Sequence, residues 1–289
     1  ASDLGPLFLR RPRRSHKGSY GHVLMIGGAS GYSGAIGMAA RAATRSGAGL
    51  VTAVVPQGIV PVVSGTVPEA MIHGAAETEI GSVASDCWPV WRDRLDEFSA
   101  LLVGPGMTRH NETRNLVTQI LSDCTVPVVI DADALNVFEG RLDDLGRCCR
   151  SECPLVMTPH PGEMGRLTGR STDEVQADRF AVARDVAEKT GAVVILKGWG
   201  TVVAEQGQTL NVNMTGNPGM ATGGMGDVLA GLLAGLLAQG LKPFDAARAA
   251  VYLHGRAGDE AAWETTESCL TAGDVIDSIP YAFRHVTMR

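Results

Sequence analysis

The sequence predicts an α/β fold, a three-layer α/β/α sandwich with a mainly parallel central sheet. Two observations lead to this prediction. Short, continuous apolar runs recur along the chain, each stops at a glycine or a polar residue, and helical segments separate them. Strands that are buried on both faces of a parallel sheet have this composition, whereas half-exposed strands alternate apolar and polar residues. In addition, chemically useful side chains directly follow several of these runs, where open α/β sheets place their ligands.

The length of 289 residues suits one large α/β domain or two small ones, and no stretch has the composition of a linker. We expect a basic N-terminal arm over residues 1–15 and a single domain over residues 16–289. Basic residues cluster around the end of the arm: Arg10, Arg11, Arg13, Arg14, His16 and Lys17. This cluster is interpreted as a solvated segment, and the alternative is a lid or a subunit contact.

The composition excludes several classes of partner. A net charge of −6 argues against a nucleic-acid partner. No apolar run is long and uncharged enough to cross a bilayer, and no signal peptide opens the chain, so we expect no membrane partner and a cytoplasmic location. The cysteines lack a metal-binding spacing, and we expect reduced thiols. They are Cys87, Cys124, Cys148, Cys149, Cys153 and Cys269.

The first predicted unit is a strand, a glycine turn and a helix. The strand covers His22–Gly27, and the helix covers Ala35–Ser46. The glycines between them do not have the Rossmann spacing, and the next strand, Leu50–Val55, carries no acidic residue at its end to bind a ribose. The unit therefore favours a nucleotide-type βα turn, without NAD binding in the Rossmann manner.

Further apolar strands follow, and polar residues come just after them. The strands are predicted over Leu101–Val103, Val126–Ile130, Leu155–Thr158 and Val193–Leu196. The polar residues that follow the last three are Asp131, Asp133, His160, Glu163 and Lys197. Because parallel strands end at the same edge of a sheet, we expect these side chains to lie on one edge.

Taken singly, these residues leave other interpretations open. Asp133 could cap a helix that begins at Ala134, and His160, which lies between two prolines, could be a turn residue. Glu163 could simply complement a helix dipole. Lys197 has the fewest alternatives, since a lysine between a buried strand and a glycine is well placed to meet a nucleotide phosphate.

The glycine loop Gly223–Asp227, which reads GGMGD, precedes an apolar helix predicted over Val228–Ala238. Amide groups at a helix N-terminus attract an anion such as phosphate. A carboxylate about 4 Å from a phosphate is repelled by roughly 4 kcal/mol at an effective dielectric of 20, so Asp227 needs a reason to be there. It could accept a proton from an attacking hydroxyl, or it could be a helix N-cap. We expect this helix and another near Ala246–Gly258 to pack on the sheet.

The motifs together resemble those of the NAD(P)H-hydrate dehydratases, a carbohydrate-kinase-related branch of the ribokinase-like superfamily. They are HKGSYGHVLMIGG, SGAIGMAARAATRSGAGLV, GPGM, DADALN, TPHPGEM, LKG and GNPGMATGGMGDVLAG. The resemblance extends from about His16 to about Asp277, and it implies that residues 16–289 form a single ribokinase-like dehydratase domain. Many kinases of the superfamily share GGxGD, whereas TPHPGE together with the KGxYG and SGA segments is specific to this branch.

The resemblance implies a set of site residues. The hydrated nicotinamide nucleotide, NADHX or NADPHX, lies in such proteins against Ala35, Gly106 and His160, and Asp227 contacts it as the catalytic base. Glu163 would have a supporting, indirect role at magnesium. The adenine nucleotide would lie along Lys197, Gly198, Trp199, Gly200, Thr201, Gly224 and Gly226. Trp199 could be a stacking surface for that nucleotide or simply a packing residue.

The implied reaction is the dehydration of the S-epimer of hydrated NADH or NADPH, a metabolite repair. Asp227 would remove the hydroxyl proton, the oxygen would attack the terminal phosphoryl group of ADP or ATP, and the ring would expel phosphate. Mg²⁺ would stabilise the transferring phosphoryl group. The resemblance also points to a homotetramer and to an epimerase partner, separate or fused. The chain itself would be a stand-alone protein or a trimmed one.

Two other functions compete with the dehydratase. A small-molecule kinase of the same fold, acting on a vitamin precursor or a sugar, would use Asp227 in the same first step but release a phosphate ester. The TPHPGE segment argues against this kinase. A non-catalytic nucleotide-binding module is the other alternative, but binding alone needs no base, and Asp227, Glu163 and Lys197 occur together.

Overall fold

The structure is a computed structural model that describes residues 3–8, 10–148 and 153–287. Its described strands form one sheet in the order β3-β2-β1-β4-β5-β6-β7-β8-β9. The strands are β1 His22–Ile26, β2 Leu50–Pro56, β3 Met71–Ala75, β4 Ala100–Val103, β5 Val128–Ile130, β6 Leu155–Met157, β7 Val193–Leu196, β8 Thr201–Ala204 and β9 Asn211–Asn213. Strands β1 to β7 pair in parallel, and β8 and β9 are added antiparallel. The prediction of a mainly parallel sheet is confirmed.

Helices cover both faces of this sheet. They are α1 Ser33–Arg45, α2 Val60–Thr66, α3 Trp88–Arg92, α4 Asn111–Asp123, α5 Asp133–Asn136, α6 Leu142–Cys148, α7 Pro161–Thr168, α8 Thr172–Ala177, α9 Arg179–Thr190, α10 Met225–Ala238, α11 Pro243–Glu264 and α12 Ala272–Thr287. Successive residues of a strand point to opposite faces, so β1 feeds two cores. Val23 and Met25 join the core under α1, α10, α11 and α12, whereas Leu24 and Ile26 join the core under α3 to α9. The three-layer prediction is confirmed.

Helix α10 is apolar on all sides because it is enclosed by the sheet and by other helices. Its glycines permit the close packing on α1: a Cβ atom at Gly231 would overlap the carbonyl oxygen of Ala39, and one at Gly235 would overlap the Ser46 side chain. Helix α11 lies against β6 to β9. The prediction that both helices pack on the sheet is therefore confirmed, and the structure extends them to Met225 and Glu264.

The strand order changes direction between β1 and β4. From β1 the chain adds β2 and β3 on one side, and then returns to place β4 on the other side of β1. The two βα turns meet at this switch point, where the Gly28 amide donates to the carbonyl of Pro105 at 2.8 Å. Open α/β sheets bind ligands in the crevice at such a point.

Strands β3, β8 and β9 were not among the predicted strands. Strand β3 reads MIHGA and leaves most of its residues exposed, and β9 reads NVN. Both lie at edges of the sheet, so neither has the continuous apolar run that identifies a buried parallel strand. Sheet position, rather than local composition, makes β3 and β9 strands.

The N-terminal arm is described except for residues 1, 2 and 9. Arg10, Arg13 and Arg14 are exposed. Arg11 is held in place, since its guanidinium donates to Gln239 Oε1 at 3.0 Å and lies 3.7 Å from the centre of the Tyr20 ring. The division into an arm and one domain stays a prediction.

The expectation for Cys149 lies outside the described residues. In the parts of the chain that the structure covers, Cys87, Cys124, Cys148, Cys153 and Cys269 are thiols. A search of the same parts finds no helix with the length and the apolar character needed to pass through a bilayer.

Candidate active site

Polar residues from three adjacent strand ends meet at one edge of the sheet. Asp131 follows β5, Glu163 lies in the helix after β6, and Lys197 follows β7. The Lys197 Nζ atom lies 2.7 Å from Asp131 Oδ1 and 3.6 Å from Glu163 Oε2. Both carboxylates are buried. The prediction that these side chains lie on one edge of the sheet is confirmed. We call Asp131, Glu163, Lys197 and Asp227 together the charge cluster.

Lys197 stays positively charged in this cluster. Burial alone would lower its pKa, but the facing carboxylates of Asp131 and Glu163 outweigh burial, and the net pKa is raised. The Lys197 amide also donates to the carbonyl of Pro159 at 2.9 Å, which ties the end of β7 to the TPHPGE segment. The ammonium is therefore held by carboxylates at the place where the sequence suggests a phosphate contact.

His160 and Glu163 cap the N-terminus of α7. The Nδ1 atom of His160 accepts from the amides of Gly162 at 3.0 Å and Glu163 at 3.3 Å, and Glu163 Oε2 accepts from the His160 amide at 2.8 Å. Burial, together with the charges of Lys197 and Arg166, lowers the pKa of His160 to about 4. The ring is neutral near pH 7, with its proton on Nε2, and can donate a hydrogen bond to a ligand.

The pKa of Glu163 is also shifted. Burial raises it, and the nearby Lys197 opposes that rise. Glu163 thus does more than complement a dipole, since it bridges the start of α7 and the ammonium of Lys197.

Asp133 has a different environment from the one proposed for it. Helix α5 begins at Asp133 rather than at Ala134, and Ala132 is its N-cap. The Asp133 carboxylate accepts from the Thr108 amide at 2.8 Å and from Asn136 Nδ2 at 3.2 Å. The interpretation of Asp133 as a cap for a helix starting at Ala134 is wrong, and the side chain instead fixes the loop after β4.

Asp227 is the third residue of helix α10. The N-cap of this helix is Gly224, which has a φ of +88°. The alternative interpretation of Asp227 as the N-cap is therefore wrong. Burial and the negative charge of Asp131 raise the pKa of Asp227 to about 7, against the opposing charge of Lys197. A carboxylate with this pKa is suited to accept a proton at neutral pH, because a general base works best when its pKa is near the working pH.

The glycines of the loop have distinct surroundings. A Cβ atom at Gly224 would lie 2.5 Å from the sulfur of Met38, so a side chain does not fit there. A Cβ atom at Gly226 would lie 3.2 Å from Lys197 Nζ. The first turn of α10 consequently lies against the ammonium, and an anion at this helix N-terminus would meet both amides and a cation.

A cavity of about 510 Å³ adjoins Lys197 and the start of α10. Its walls include most of the positions that the sequence assigns to a nucleotide: Lys197, Gly198, Trp199, Gly200, Thr201 and Gly226. Gly224 and Asp227 are not among its lining residues. Trp199 is 88% exposed at the wall, so the alternative interpretation of Trp199 as a packing residue is wrong.

The positions assigned to the nicotinamide nucleotide lie elsewhere on the same edge. Gly106, with a φ of +67°, approaches α1 so closely that a Cβ atom there would lie 3.2 Å from the Cβ atom of Ala35. Ala35 and Gly106 are thus brought together at the switch point between β1 and β4. His160 follows β6, which is two strands beyond β4 in the sheet.

Residues that hold the cavity walls were not predicted from the sequence. Arg179 of α9 donates to the carbonyls of Leu196 at 2.9 Å and Lys197 at 3.3 Å, so it fixes the loop after β7. Asp259 of α11 accepts from the Gly216 amide at 3.1 Å and from Asn217 Nδ2 at 3.2 Å. Neither residue belongs to a motif, and each looks like an ordinary charged residue of an amphipathic helix.

Comparisons with known proteins agree with this geometry. The family model for NAD(P)H-hydrate dehydratase matches residues 23–281. The bifunctional NAD(P)H-hydrate repair enzyme of Moorella thermoacetica is 45% identical over 277 residues, which are 96% of this chain and 52% of that protein. The ADP-dependent (S)-NAD(P)H-hydrate dehydratase of Neisseria meningitidis is 39% identical over 256 residues, 88% of this chain and 81% of that protein. The chain spans about half the length of the bifunctional relatives.

Solved structures lead to the same family. The ADP/ATP-dependent NAD(P)H-hydrate dehydratase from Bacillus subtilis, co-crystallized with ATP/Mg²⁺, has a TM-score of 0.83 at 30% identity and covers 98% of this chain and 96% of its own. A ribokinase from Thermotoga maritima, with a TM-score of 0.54 at 12% identity, covers 91% of this chain and 100% of its own and shows the shared fold alone. The ribokinase-like fold and the family resemblance are both confirmed: this chain belongs to the NAD(P)H-hydrate dehydratase family.

Proposed function

We propose that this chain dehydrates the S-epimer of hydrated NADH or NADPH in a metabolite-repair reaction that consumes ADP or ATP. The observation that carries the proposal is the position of Asp227. Its pKa of about 7 suits a base at neutral pH, and it lies in the first turn of α10 within the electrostatic reach of Lys197 and Asp131. Family membership supplies the substrate class.

The adenine nucleotide occupies the 510 Å³ cavity, along Lys197, Gly198, Trp199, Gly200 and Thr201. Its phosphates lie at the start of α10, where Gly224 and Gly226 leave the backbone amides accessible. The helix dipole and the ammonium of Lys197 both favour negative charge at this position. The nucleotide is thereby oriented with its terminal phosphoryl group toward Asp227.

The hydrated nicotinamide nucleotide lies against Ala35 and Gly106, where the tight approach of two βα turns forms the crevice at the switch point. His160 is neutral near pH 7 and donates from Nε2 to a polar group of this substrate. Asp227 faces the ring hydroxyl. In this proposal a hydroxyl group, a base and a phosphoryl donor meet at one edge of the sheet.

The chemistry follows from this arrangement. Asp227 accepts the hydroxyl proton, and the oxygen attacks the terminal phosphoryl group, so that ADP becomes AMP or ATP becomes ADP. Hydroxide is a poor leaving group and phosphate is a good one. The phosphorylated ring then breaks its carbon–oxygen bond, expels phosphate and loses a ring proton, which restores NADH or NADPH. The α10 amides stabilise the charge on the transferring phosphoryl group.

The residues at this edge fit a supporting role for Mg²⁺. Magnesium is usually held by one or two carboxylates together with substrate phosphates. The carboxylates at this edge include those of Asp131 and Glu163, and Lys197 and the His160 amide already engage them. Residues 3–8, 10–148 and 153–287 contain no group of three or more His, Cys, Asp or Glu residues placed to hold a metal ion. The nucleotide phosphates would hold the magnesium, with Glu163 acting on it indirectly, and the ion would offset charge on the transferring phosphoryl group.

The proposal extends to the setting of the enzyme. We infer a cytoplasmic location. We also infer a partner epimerase, separate or fused, because this chain spans about half of each bifunctional relative. The proposed homotetramer rests on family resemblance alone.

The test is a continuous assay that follows the near-ultraviolet absorbance of the reduced nicotinamide ring. Hydrated NADH and magnesium are supplied with ADP, with ATP or with no nucleotide, and Asp227→Asn serves as the control. We expect absorbance to rise only when a nucleotide is present. If folded protein gives no rise with either nucleotide but forms phosphate esters from vitamin-precursor or sugar alcohols, the chain is a kinase instead.

A further inference from the structure

The guanidinium of Arg166 lies at the same edge of the sheet as the charge cluster. Arg166 is on helix α7, which follows β6, and its side chain runs back toward the start of that helix. A Cβ atom at Gly162, the second residue of α7, would lie 3.8 Å from Arg166 Nη1 and 2.9 Å from His160 Cε1. The guanidinium and the imidazole therefore flank one glycine. Arg166 is thus next to a residue that the proposed function gives to the hydrated nicotinamide nucleotide.

Hydrogen bonds also tie Arg166 to the loop after β4, which carries Gly106. Arg166 Nε donates to Asn136 Oδ1 at 2.9 Å, and Asn136 Nδ2 donates to Asp133 Oδ1 at 3.2 Å. The other carboxylate oxygen of Asp133 accepts from the amide of Thr108 at 2.8 Å, two residues after Gly106. The guanidinium is consequently held in a fixed position relative to that loop.

The rest of the guanidinium is open to a ligand. A guanidinium has five N–H donors, and within the described part of the chain Arg166 uses only the one on Nε. Buried side-chain nitrogen and oxygen atoms without a hydrogen-bond partner occur, among the described residues, on Thr108, Thr158, His254 and Arg256. Arg166 is not one of them, so its unpartnered Nη1 and Nη2 atoms are accessible rather than buried.

The charge of Arg166 is also without a partner. Lys197 is held by Asp131 at 2.7 Å and by Glu163 at 3.6 Å, whereas Arg166 forms no ion pair with any described carboxylate. Glu163 is close enough for the charge of Arg166 to lower its pKa, but its own contacts are with Lys197 and a backbone amide. An oriented guanidinium with two open amino groups matches a phosphate group, which it can bind through two parallel hydrogen bonds.

We propose that Arg166 binds a phosphate group of the hydrated nicotinamide nucleotide through Nη1 and Nη2. The inference rests on the proposed function, because it takes this nucleotide as the occupant of the crevice beside His160. The substrate offers two sources of the same chemistry. NADHX and NADPHX share a diphosphate, and NADPHX alone carries a 2′-phosphate, so a comparison of the two hydrates separates the sources.

The experiment measures kcat and KM for both hydrates with the wild type and with Arg166→Met, which keeps a long side chain without donors or charge. We expect KM to rise about 10- to 100-fold, with kcat within about threefold, because a charge-assisted contact used for binding is lost. A rise for both hydrates assigns the contact to the diphosphate. A rise for NADPHX alone assigns it to the 2′-phosphate.

Two further variants test the interpretation. Arg166→Lys keeps the charge without the planar fork and should recover part of the lost affinity, which a merely structural arginine would not do. Arg170→Met removes an arginine just after α7 that pairs with Asp185 at 3.1 Å and is 39% exposed, and its KM values should match the wild type.

The inference is overturned if folded Arg166→Met keeps the wild-type KM for both hydrates. It is also overturned if only the KM for the adenine nucleotide rises, since the contact would then belong to the other substrate. A wild type that turns over neither hydrate refutes the proposed function itself, and the inference with it.

Discussion

The charge cluster and the cavity beside it, proposed above as the nucleotide site, are built in opposite ways. In the cluster, Asp131 and Glu163 are buried at the ends of parallel strands and hold the ammonium of Lys197. The cavity is bounded by loops and by the antiparallel edge of the sheet, and it exposes Trp199 and Met214. Transition-state charge is best stabilised by groups fixed before reaction, whereas recognition is commonly carried by loops on a rigid scaffold. Substitutions in the cluster should therefore affect kcat and stability, and substitutions in the cavity should affect nucleotide KM.

The largest effect is expected for Asp227→Asn. This variant removes the base but keeps the shape of the side chain, so kcat should fall by about 10²- to 10⁴-fold. Calorimetric binding of ADP should not weaken, because the proposed phosphate contacts are backbone amides and Lys197, and the variant removes a carboxylate that repels phosphate. Near-normal turnover by Asp227→Asn would show that the base lies elsewhere.

The second-largest effect is expected for Lys197→Met, which should lower the free energy of unfolding. The variant leaves the buried carboxylates of Asp131 and Glu163 without their cation, which should cost about 3–5 kcal/mol of unfolding free energy near neutral pH. Lys197 opposes the rise that burial causes in the pKa of Glu163, so without the ammonium that pKa should rise further in the folded state, and the deficit should shrink as the pH falls. Chemical denaturation at several pH values measures it.

Lys189→Met is the matched control for this substitution. Lys189 lies on α9 and pairs with Asp185 at 3.2 Å, and its side chain is 53% exposed. Removing an exposed pair should change the unfolding free energy by less than about 1 kcal/mol. Equal losses in the two variants would contradict the idea that the cluster is a preorganised, buried set of charges.

A third prediction concerns how kcat/KM and stability depend on pH through the titration of Asp227. kcat/KM should rise with pH and level off above a midpoint near 7, the pKa of Asp227, because the base must be ionised. Stability should change in the opposite direction. The folded pKa lies above the unfolded value of about 3.9, so the folded protein holds a proton that the unfolded chain has lost, and stability falls as the pH rises through that window.

Asp227→Asn should lack this fall in stability. Thermal melts across the window should therefore show the variant more stable than the wild type above about pH 7, with the difference closing near pH 4. Parallel stability profiles of the two proteins would mean that Asp227 is not desolvated. Such a trade of stability for activity is common at active sites.

The residues of the charge cluster can be predicted from the sequence much better than the residues of the cavity walls. Strands β1, β2 and β4 to β7 are buried apolar runs, and parallel strands bring their ends together, so Asp131, Glu163 and Lys197 could be placed on one edge in advance. Edge strands β3 and β9 lack that signal, since a strand exposed at the margin of a sheet has no need of a continuous apolar run.

The cavity walls depend on contacts between distant segments. Arg179 holds the loop after β7, and Asp259 holds the segment around Gly216, through single hydrogen bonds from helices far along the chain. In the sequence, His254 looks like an isolated histidine on an amphipathic helix. Only the packing of α11 shows that it lines the cavity. No local spacing distinguishes these residues from other polar residues of a helix, so only the tertiary structure identifies them.

The smallest effect is expected at the exposed wall of the cavity, and it separates binding from catalysis most cleanly. Trp199→Ala removes a side chain that is 88% exposed, so stability should stay within about 0.5 kcal/mol. If the indole lies against the nucleotide, nucleotide KM should rise about two- to tenfold with kcat unchanged, in keeping with the modest value of aromatic contacts. Trp263→Ala is the matched control: Trp263 lies on α11, is 86% exposed and does not line the cavity. A fall in kcat for Trp199→Ala would contradict the separation of binding from catalysis, because it would give an exposed cavity wall a part in the catalysis assigned to the buried cluster.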